Sequence, residues 1–310
     1  MDRISSKQLK EVAISLGFDS VGVAAALPVH EAVQFYRHWL NAGFDAEMGY
    51  LAKHEQLKAD PRTLLEDAQS VIVVSLNYYH NPEPREGKVA RYALGRDYHK
   101  VIPARLRKLI GVLEQEYPRS QHRICVDSAP LFDRSYAAMA GLGWFGKNTM
   151  LIDSKRGSWF FIGVVLSSIA FELDTPSVGG CGTCRSCIDA CPTGAIVKLH
   201  DRWAVNSGDC ISYQTIEKRG ELTTDTHGWL FGCDVCQEVC PFNQGRDSQP
   251  LRASVTTISD FYPRNLPTVD AIETMSEAEW DESFRGSAMR RTGYEGLRRN
   301  VRALRNEKKK

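Results

Sequence analysis

The chain opens with Leu9, Val12, Ala13 and Leu16 at helical spacing, behind Ser5-Ser6 and stopped by Gly17, which predicts a capped amphipathic helix. The period then changes. Ser20–Ala25 and Val71–Leu76 are short β-branched runs that read as buried strands. Asp97 to Tyr117 returns to helical spacing and ends at Pro118, with Pro103 required to fall in the first turns if it is not to break the helix. His122–Val126 predicts another strand, Leu131–Ala140 a helix, and Ser158–Ser167 a further extended run. The expected class is α+β: an α/β domain over residues 1–172, a loop-rich, cysteine-bearing domain over 173–250, and a short basic helical segment over 251–310.

The middle segment carries the chemistry. Cys181-x2-Cys184-x2-Cys187-x3-Cys191-Pro192 and Cys233-x2-Cys236-x3-Cys240-Pro241 nearly write out the pattern of a two-cluster ferredoxin. There, three cysteines of one run hold one [4Fe–4S] cluster and the fourth, before proline, crosses to the other. The second run lacks its leading cysteine, and Cys210 is available to replace it. The expected ligands are Cys181, Cys184, Cys187 and Cys240 for one cluster, and Cys191, Cys210, Cys233 and Cys236 for the other. Paired C-x2-C units also make tetrahedral zinc sites, but the x2-x2-x3-Pro spacing is far more specific. Cys125 lies in an apolar stretch and is expected to be a buried, inert thiol.

Length adds one inference and charge another. A bare two-cluster ferredoxin needs roughly sixty to eighty residues, so most of a 310-residue chain serves something else. No apolar stretch reaches the ~20 residues that cross a bilayer, and the N-terminus shows no secretory signal, so a cytoplasmic protein is expected. A net charge of +1 conceals +8 over residues 285–310, which leaves −7 for everything before. A second basic stretch runs from Arg85 to Lys108. Such segments on an otherwise acidic chain suggest a polyanion such as nucleic acid, with Arg298 and Arg299 as probes of that surface. Lys308-Lys309-Lys310 reads as a frayed tail, and Arg285 to Arg305 as a packed helix with one basic face.

Familiar cofactor fingerprints fail. Gly141-Leu-Gly-Trp-Phe-Gly146 fits G-x-G-x-x-G but follows a helix instead of a strand. Asp97-Tyr98-His99 begins like the D-x-H-x-x-G cobalt motif, but position 102 is isoleucine. Other combinations are narrower: Cys125-Val-Asp127-Ser-Ala-Pro130, Gly141-Leu-Gly-Trp-Phe-Gly-Lys-Asn148, the paired cysteine runs, Ile211-Ser212-Tyr213-Gln-Thr-Ile-Glu217 and Gly232-Cys-Asp-Val-Cys-Gln237. Together they resemble epoxyqueuosine reductase, from the N-terminus to about Asn306. That family commonly continues into HEAT-like helical repeats; here the match stops after Leu297-Arg-Arg-Asn300, as in a short form lacking most of them.

The resemblance implies an oxidoreductase that completes queuosine synthesis, reducing the epoxide on the wobble base of a tRNA to a cyclopentene. It implies cobalamin in the first domain, without a protein lower ligand, fed by the two clusters from a low-potential donor, in a monomer. Asp127 is the expected general acid and cofactor neighbour, with a pKa raised by desolvation; the competing reading makes it the cap of a helix near Pro130. Lys58, Leu151 and Ile162 match cobalamin contacts, as does the turn Gly232-Cys233-Asp234, and Ser212 and Lys218 match positions near the tRNA. A reductive dehalogenase shares cobalamin and two clusters but usually begins with a twin-arginine signal, and a ferredoxin-type carrier needs no large first domain.

Overall fold

A computed structural model describes residues 3–81, 83–244 and 254–307; Lys308–Lys310 and the boundary expected at 250/251 lie outside them. The first helix, α1 (Lys7–Ser15), stops before Gly17 as its pattern predicts and packs against β1 (Ser20–Ala25). After α2 (His30–Asn41), strand β2 (Ser70–Asn77) enters the middle of a four-stranded sheet. Seven of its eight residues are buried because it is covered on both faces. Ile72, Val74 and Leu76 enter one core with α1 and α3 (Tyr98–Glu116), while Val71 and Val73 enter another with α4 (Asp133–Met139). Alternation with period two therefore feeds two cores from one strand.

Strands β3 (His122–Cys125) and β4 (Phe160–Ser167) complete the sheet, in spatial order β1-β2-β4-β3. Every pairing is antiparallel, from Ser20 opposite Ser75 to Cys125 opposite Val164. The crevice rule for parallel sheets is thus not what brings Asp127 to a ligand. Helix α3 tolerates Pro103 in its second turn, where the ring removes only the N–H that would meet the His99 carbonyl. It starts at Asp97, whose carboxylate accepts the His99 N–H at 3.0 Å. Helix α4 begins two residues later than its pattern suggests, and its N-cap, Phe132, offers no side-chain bond. Asp127 therefore does not cap it.

The cysteine-rich region is built from short pieces: four-residue helices at Ser186–Asp189 and Val235–Glu238, a hairpin pairing Ile196–Leu199 with Arg202–Val205, and α5 (Ile211–Ile216). Strand Trp229–Phe231 pairs in parallel with Lys88–Val89. That pairing seeds a third core, closed by α6 (Val269–Thr274), α7 (Glu277–Ser283) and α8 (Gly293–Glu307). Val89, Ala93 and Leu94 from the first segment join Leu230, Phe231, Leu297, Val301 and Leu304, so this core crosses all three expected divisions. The last helix presents an apolar face to it, and each fully buried leucine or valine contributes ~1.5–3 kcal/mol.

Helix α8 corrects one expectation about the basic tail. Arg299 is 9 % exposed and donates to the carbonyls of Lys218 at 2.7 Å, Gly220 at 2.8 Å and Gln214 at 2.9 Å. It is a structural tie between α8 and α5, not a surface cation. Its neighbour Arg298 lies over the Tyr294 ring, 5.1 Å from the centroid, and remains more open. Arg291 and Arg305 are paired with acids, Glu217 in one case and Asp270 and Glu273 in the other. The two basic stretches do meet, through Lys88–Val89 and α8, but as a shared core with many paired arginines. Arg299→Ala is expected to cost at least ~2 kcal/mol, because several carbonyls lose their donor, whereas Arg298→Ala should cost less than ~0.5 kcal/mol. Urea unfolding of both variants checks this; equal losses would contradict the tie.

Candidate active site and thiol clusters

At the end of β3 the chain passes Cys125 and Val126 and turns at Asp127 with φ of 43°. This left-handed conformation costs an ordinary L residue ~1–2 kcal/mol, though Asp is among the few that visit it routinely. The turn aims the carboxylate out of the sheet, with 59 % of the side chain open. Two consecutive residues of α3 hold it there. Tyr98 Oη donates to Asp127 Oδ2 at 2.8 Å, and His99 Nε2 lies 3.3 Å from the same oxygen. The other ring nitrogen, Nδ1, is 2.9 Å from Asp97 Oδ1, so the imidazole bridges two carboxylates.

The electrostatics follow from that bridge. Burial disfavours a charged His99, yet the two carboxylates outweigh it and raise the pKa to about 9. Desolvation pushes Asp127 up, but bonds from His99 and Tyr98 prevail and hold it below the ordinary Asp value. The expected raised pKa is therefore corrected: at neutral pH the carboxylate is ionised and the proton sits on His99. The phenol of Tyr98, buried and facing Asp127, is pushed far up and stays protonated. Its ring stacks on Phe161, centroids 4.4 Å apart, which fixes the donor's direction. The sequence reading set Asp97-Tyr98-His99 aside as a failed cobalt motif. The D-x-H spacing was the available signal: one residue caps the helix while the other turns outward beside it.

Lys58 and Arg134, both within electrostatic range of Asp127, stand in the wall of a cavity of about 730 Å³, within the usual size of ligand sites. Tyr36, Trp39, Phe132, Phe145 and Trp203 line it, with cations from Lys58, Arg134, Lys147 and Arg202. Lys58 is a wall residue, its Nζ 5.0 Å from the Tyr36 ring centroid and 5.6 Å from that of Phe132. Burial lowers its pKa while Asp133 and Asp127 oppose the shift. Leu151 and Ile162 are not wall residues: Leu151 is 4 % exposed and both pack into the second core. Asp234 is turned inward, 3 % exposed, accepting from the Arg91 backbone at 2.8 Å and its guanidinium at 3.1 Å. Burial raises its carboxyl to about 6 despite Arg91. The Asp234 side chain is thus committed to Arg91 and not to a ligand.

Within electrostatic range of Asp127 lies Tyr50; Arg291 reaches its ring, 5.8 Å from the centroid, and grips Glu217 through two bonds of 2.8 and 2.9 Å. Neither Tyr50 nor Arg291 was singled out from sequence. Lys218, a candidate phosphate contact, is engaged by Glu47 at 2.8 Å with only 11 % of its side chain exposed. Ser212 follows Cys210 at the start of α5, its hydroxyl within hydrogen-bonding reach of that thiol.

All nine cysteines are free thiols. Cys181, Cys184, Cys187 and Cys240 surround one small void. Burial, with the neighbouring Cys181, Cys240 and Cys184, pushes the Cys187 thiol up to about 11. Cys191, Cys210 and Cys233 form the second neighbourhood, where burial and the other thiols push Cys233 up to about 12. Cys236 joins it beside Cys233 and Cys210, with Cys187 of the first group next in range. Crowding of this kind is unfavourable for bare thiolates and suits a cationic iron core that replaces their protons. Among the described residues no three His, Cys, Asp or Glu converge as a mononuclear metal site requires. Cys125 stands apart, 2 % exposed, and burial raises it to about 11.

Comparison with known proteins agrees with this layout. Residues 58–128 match the family described as epoxyqueuosine reductase QueG, DUF1730, and residues 180–243 match the 4Fe-4S double cluster binding domain. An epoxyqueuosine reductase of Leadbetterella byssophila is 40 % identical over 304 residues, 96 % of this chain and 97 % of its own. One from Synechocystis sp. is 42 % identical over 285 residues, 88 % and 95 % of the two chains. A crystal structure of epoxyqueuosine reductase with an epoxyqueuosine-modified tRNA-Tyr stem loop superposes with a TM-score of 0.84 at 27 % identity, covering 96 % of this chain and 80 % of that one. The Bacillus subtilis structure, at 26 % identity, 0.82 and the same coverage, is described with its catalytic aspartate loop swung out of the active site.

Proposed function

The chain belongs to the epoxyqueuosine reductase family, and on that premise we propose that this oxidoreductase reduces epoxyqueuosine to queuosine at the wobble position of tRNA. The observation that carries the chemistry is the chain of groups Asp97–His99–Asp127–Tyr98, within electrostatic range of the cavity residues Lys58 and Arg134. Converting an epoxide to an alkene consumes two electrons and two protons and releases water. One C–O bond breaks first, and its oxygen needs a proton as it leaves. Asp127 is the group placed to give it, and the catalytic aspartate loop described for the Bacillus subtilis relative supports that assignment. Because Asp127 is ionised at rest, His99 supplies the proton to its carboxylate, and Tyr98 keeps the acceptor oxygen oriented. Asp97 holds the imidazole in place on its far side.

The chain carries a double [4Fe–4S] binding domain, and the two thiol neighbourhoods support the eight-cysteine assignment made from spacing. Cobalamin, when bound, supplies the two-electron chemistry that clusters passing single electrons cannot. The residues fit such a group: the cavity is large, its walls are aromatic, and Lys58 and Arg134 can meet amide and phosphate oxygens. Leu151, Ile162, Cys233 and Asp234 would contribute through backbone atoms or by shaping the walls behind. For the tRNA, Tyr50 offers a stacking face and Arg291 a cation beside it. Ser212 and Lys218 lie on the same side, and Lys218 reaches a phosphate by leaving Glu47. The proposal includes a cytoplasmic location, as suits a tRNA substrate, a monomer and a low-potential electron donor. Among the described residues no helix is long and apolar enough to cross a membrane.

The test is single-turnover reduction of epoxyqueuosine in tRNA by anaerobically reconstituted protein, followed against pH. His99 keeps its proton until about pH 9, so the rate should hold through neutrality and decline as pH rises through that value. Stability follows the same sign. The raised His99 stabilises the fold fully below its ordinary value of 6.5 and loses that contribution as pH passes about 9. The depressed Asp127 contributes above its ordinary 3.8 and loses its part as pH falls through its lower folded value. A rate that climbs with pH across this range would remove the His99–Asp127 pair from proton delivery.

A further inference from the structure

The G-x-G-x-x-G segment lends Phe145 to the cavity wall, and the fold gives the residues just after it a second place. Trp144–Phe145 pairs with Leu151–Ile152, and the hairpin loop between them reaches both cysteine runs. Lys147 Nζ donates to the carbonyls of Gly182 and Cys184, each at 2.7 Å, inside the first run. The next residue, Asn148, is 2 % exposed and donates through Nδ2 to the carbonyl of Cys236 at 3.0 Å, inside the second. Its Oδ1 accepts the Met150 N–H at 3.2 Å, which fixes the amide's orientation. Gly146 leaves room for this arrangement: a Cβ there would lie 2.5 Å from the Ile152 side chain and 2.6 Å from Asn148 Oδ1, so one of them would have to move. Both Lys147 and Asn148 line the void bounded by Cys181, Cys184, Cys187 and Cys240.

We propose that Lys147 and Asn148 form a two-pronged strap by which the first domain sets the reduction potential of the cluster on Cys181, Cys184, Cys187 and Cys240 and fixes its spacing from the second cluster. This rests on the eight-cysteine assignment. An electron added to a cluster makes it more negative, so a cation held beside it favours the reduced form. Lys147 cannot swing away without abandoning two carbonyls, so its charge is a fixed part of the cluster's surroundings. Asn148 is neutral and buried, and its contribution is distance. Both prongs are positioning residues for electron delivery.

Redox titration of the reconstituted holoenzyme, followed by electron paramagnetic resonance, tests the strap. Lys147→Met should lower the reduction equilibrium of the first-run cluster about tenfold, about 59 mV for one electron, and leave the other cluster unchanged. Lys147→Gln keeps a donor for one carbonyl but no charge, and should show the same shift; Lys147→Arg should restore the parent value. Asn148→Ala should alter the magnetic interaction between the two reduced clusters while iron content is retained. Parent-like midpoints in both uncharged variants, an equal shift of both clusters, or an unchanged interaction in Asn148→Ala would overturn the strap alone. A parent chain that binds fewer than two clusters would overturn the ligand assignment, and the strap with it.

Discussion

Asp127→Asn is expected to lower single-turnover reduction of epoxyqueuosine by roughly 10²–10⁴-fold, the usual contribution of a general acid, while the protein still takes up iron and cobalamin. The amide preserves size and can still accept from Tyr98 Oη, so the turn after β3 should persist. It cannot accept a proton from His99 and pass it on. The pH profile carries a second signature: the decline through about 9 expected of the parent should vanish, because His99 would no longer be coupled to the reaction. Removing one of its two carboxylates should also bring the His99 pKa down, which proton resonance of the imidazole would register. Normal turnover in Asp127→Asn would reduce the carboxylate to a partner of Tyr98 and His99. Loss of cobalamin would make it a binding residue instead. His99→Gln separates the roles further, since Asp127 would keep its position beside Tyr98 yet lose its proton source.

The other large effect is expected at a cysteine outside both runs. Cys210→Ser should deplete the iron of the cluster shared with Cys191, Cys233 and Cys236 and abolish turnover, because electrons would lose one of two stations. Cys125→Ser should leave iron content and spectra intact, as that thiol lies in the second core among apolar side chains. Iron and sulfide analysis after anaerobic reconstitution decides between them. Unchanged stoichiometry in Cys210→Ser would send the search for the fourth ligand elsewhere. Cys210 caps α5 from an extended backbone and has Cys191 and Cys233 as neighbours. A serine there keeps the backbone but offers a poor ligand to iron.

Several sequence expectations carried over to the fold because they rest on local geometry. A C-x2-C unit places two thiols on one turn whatever surrounds it, so the cysteine runs announced their chemistry directly. The β-branched run Val71–Leu76 and the helical spacing after Asp97 likewise specify single elements, a buried strand and a helix. The basic tail was a different matter. Arg298 and Arg299 are adjacent in a charged run, yet one is half-exposed, beside Tyr294 and Glu295 of its own helix, and the other is enclosed by three carbonyls from α5 and the loop beyond. Composition counts charges, but only packing says which of them already have partners.

The residues of the chain thus pointed by themselves to a double [4Fe–4S] binding domain, which the family match supports, to the cysteines available as ligands, and to a mixed helix-and-sheet segment before them. What they could not establish is the protonation state of Asp127. That depends on Tyr98 and His99, about thirty residues earlier, which arrive because α3 lies tight against β4, where Ile102 fills the space beside Gly163. The same holds for Lys147 and Asn148, whose roles exist only once a hairpin of the first domain touches carbonyls of both cysteine runs. Ligand spacing is a property of the backbone over a few residues and can be read along the chain. A pKa or a cluster potential is a sum over charges and dipoles through space, and tertiary structure decides which of those are near.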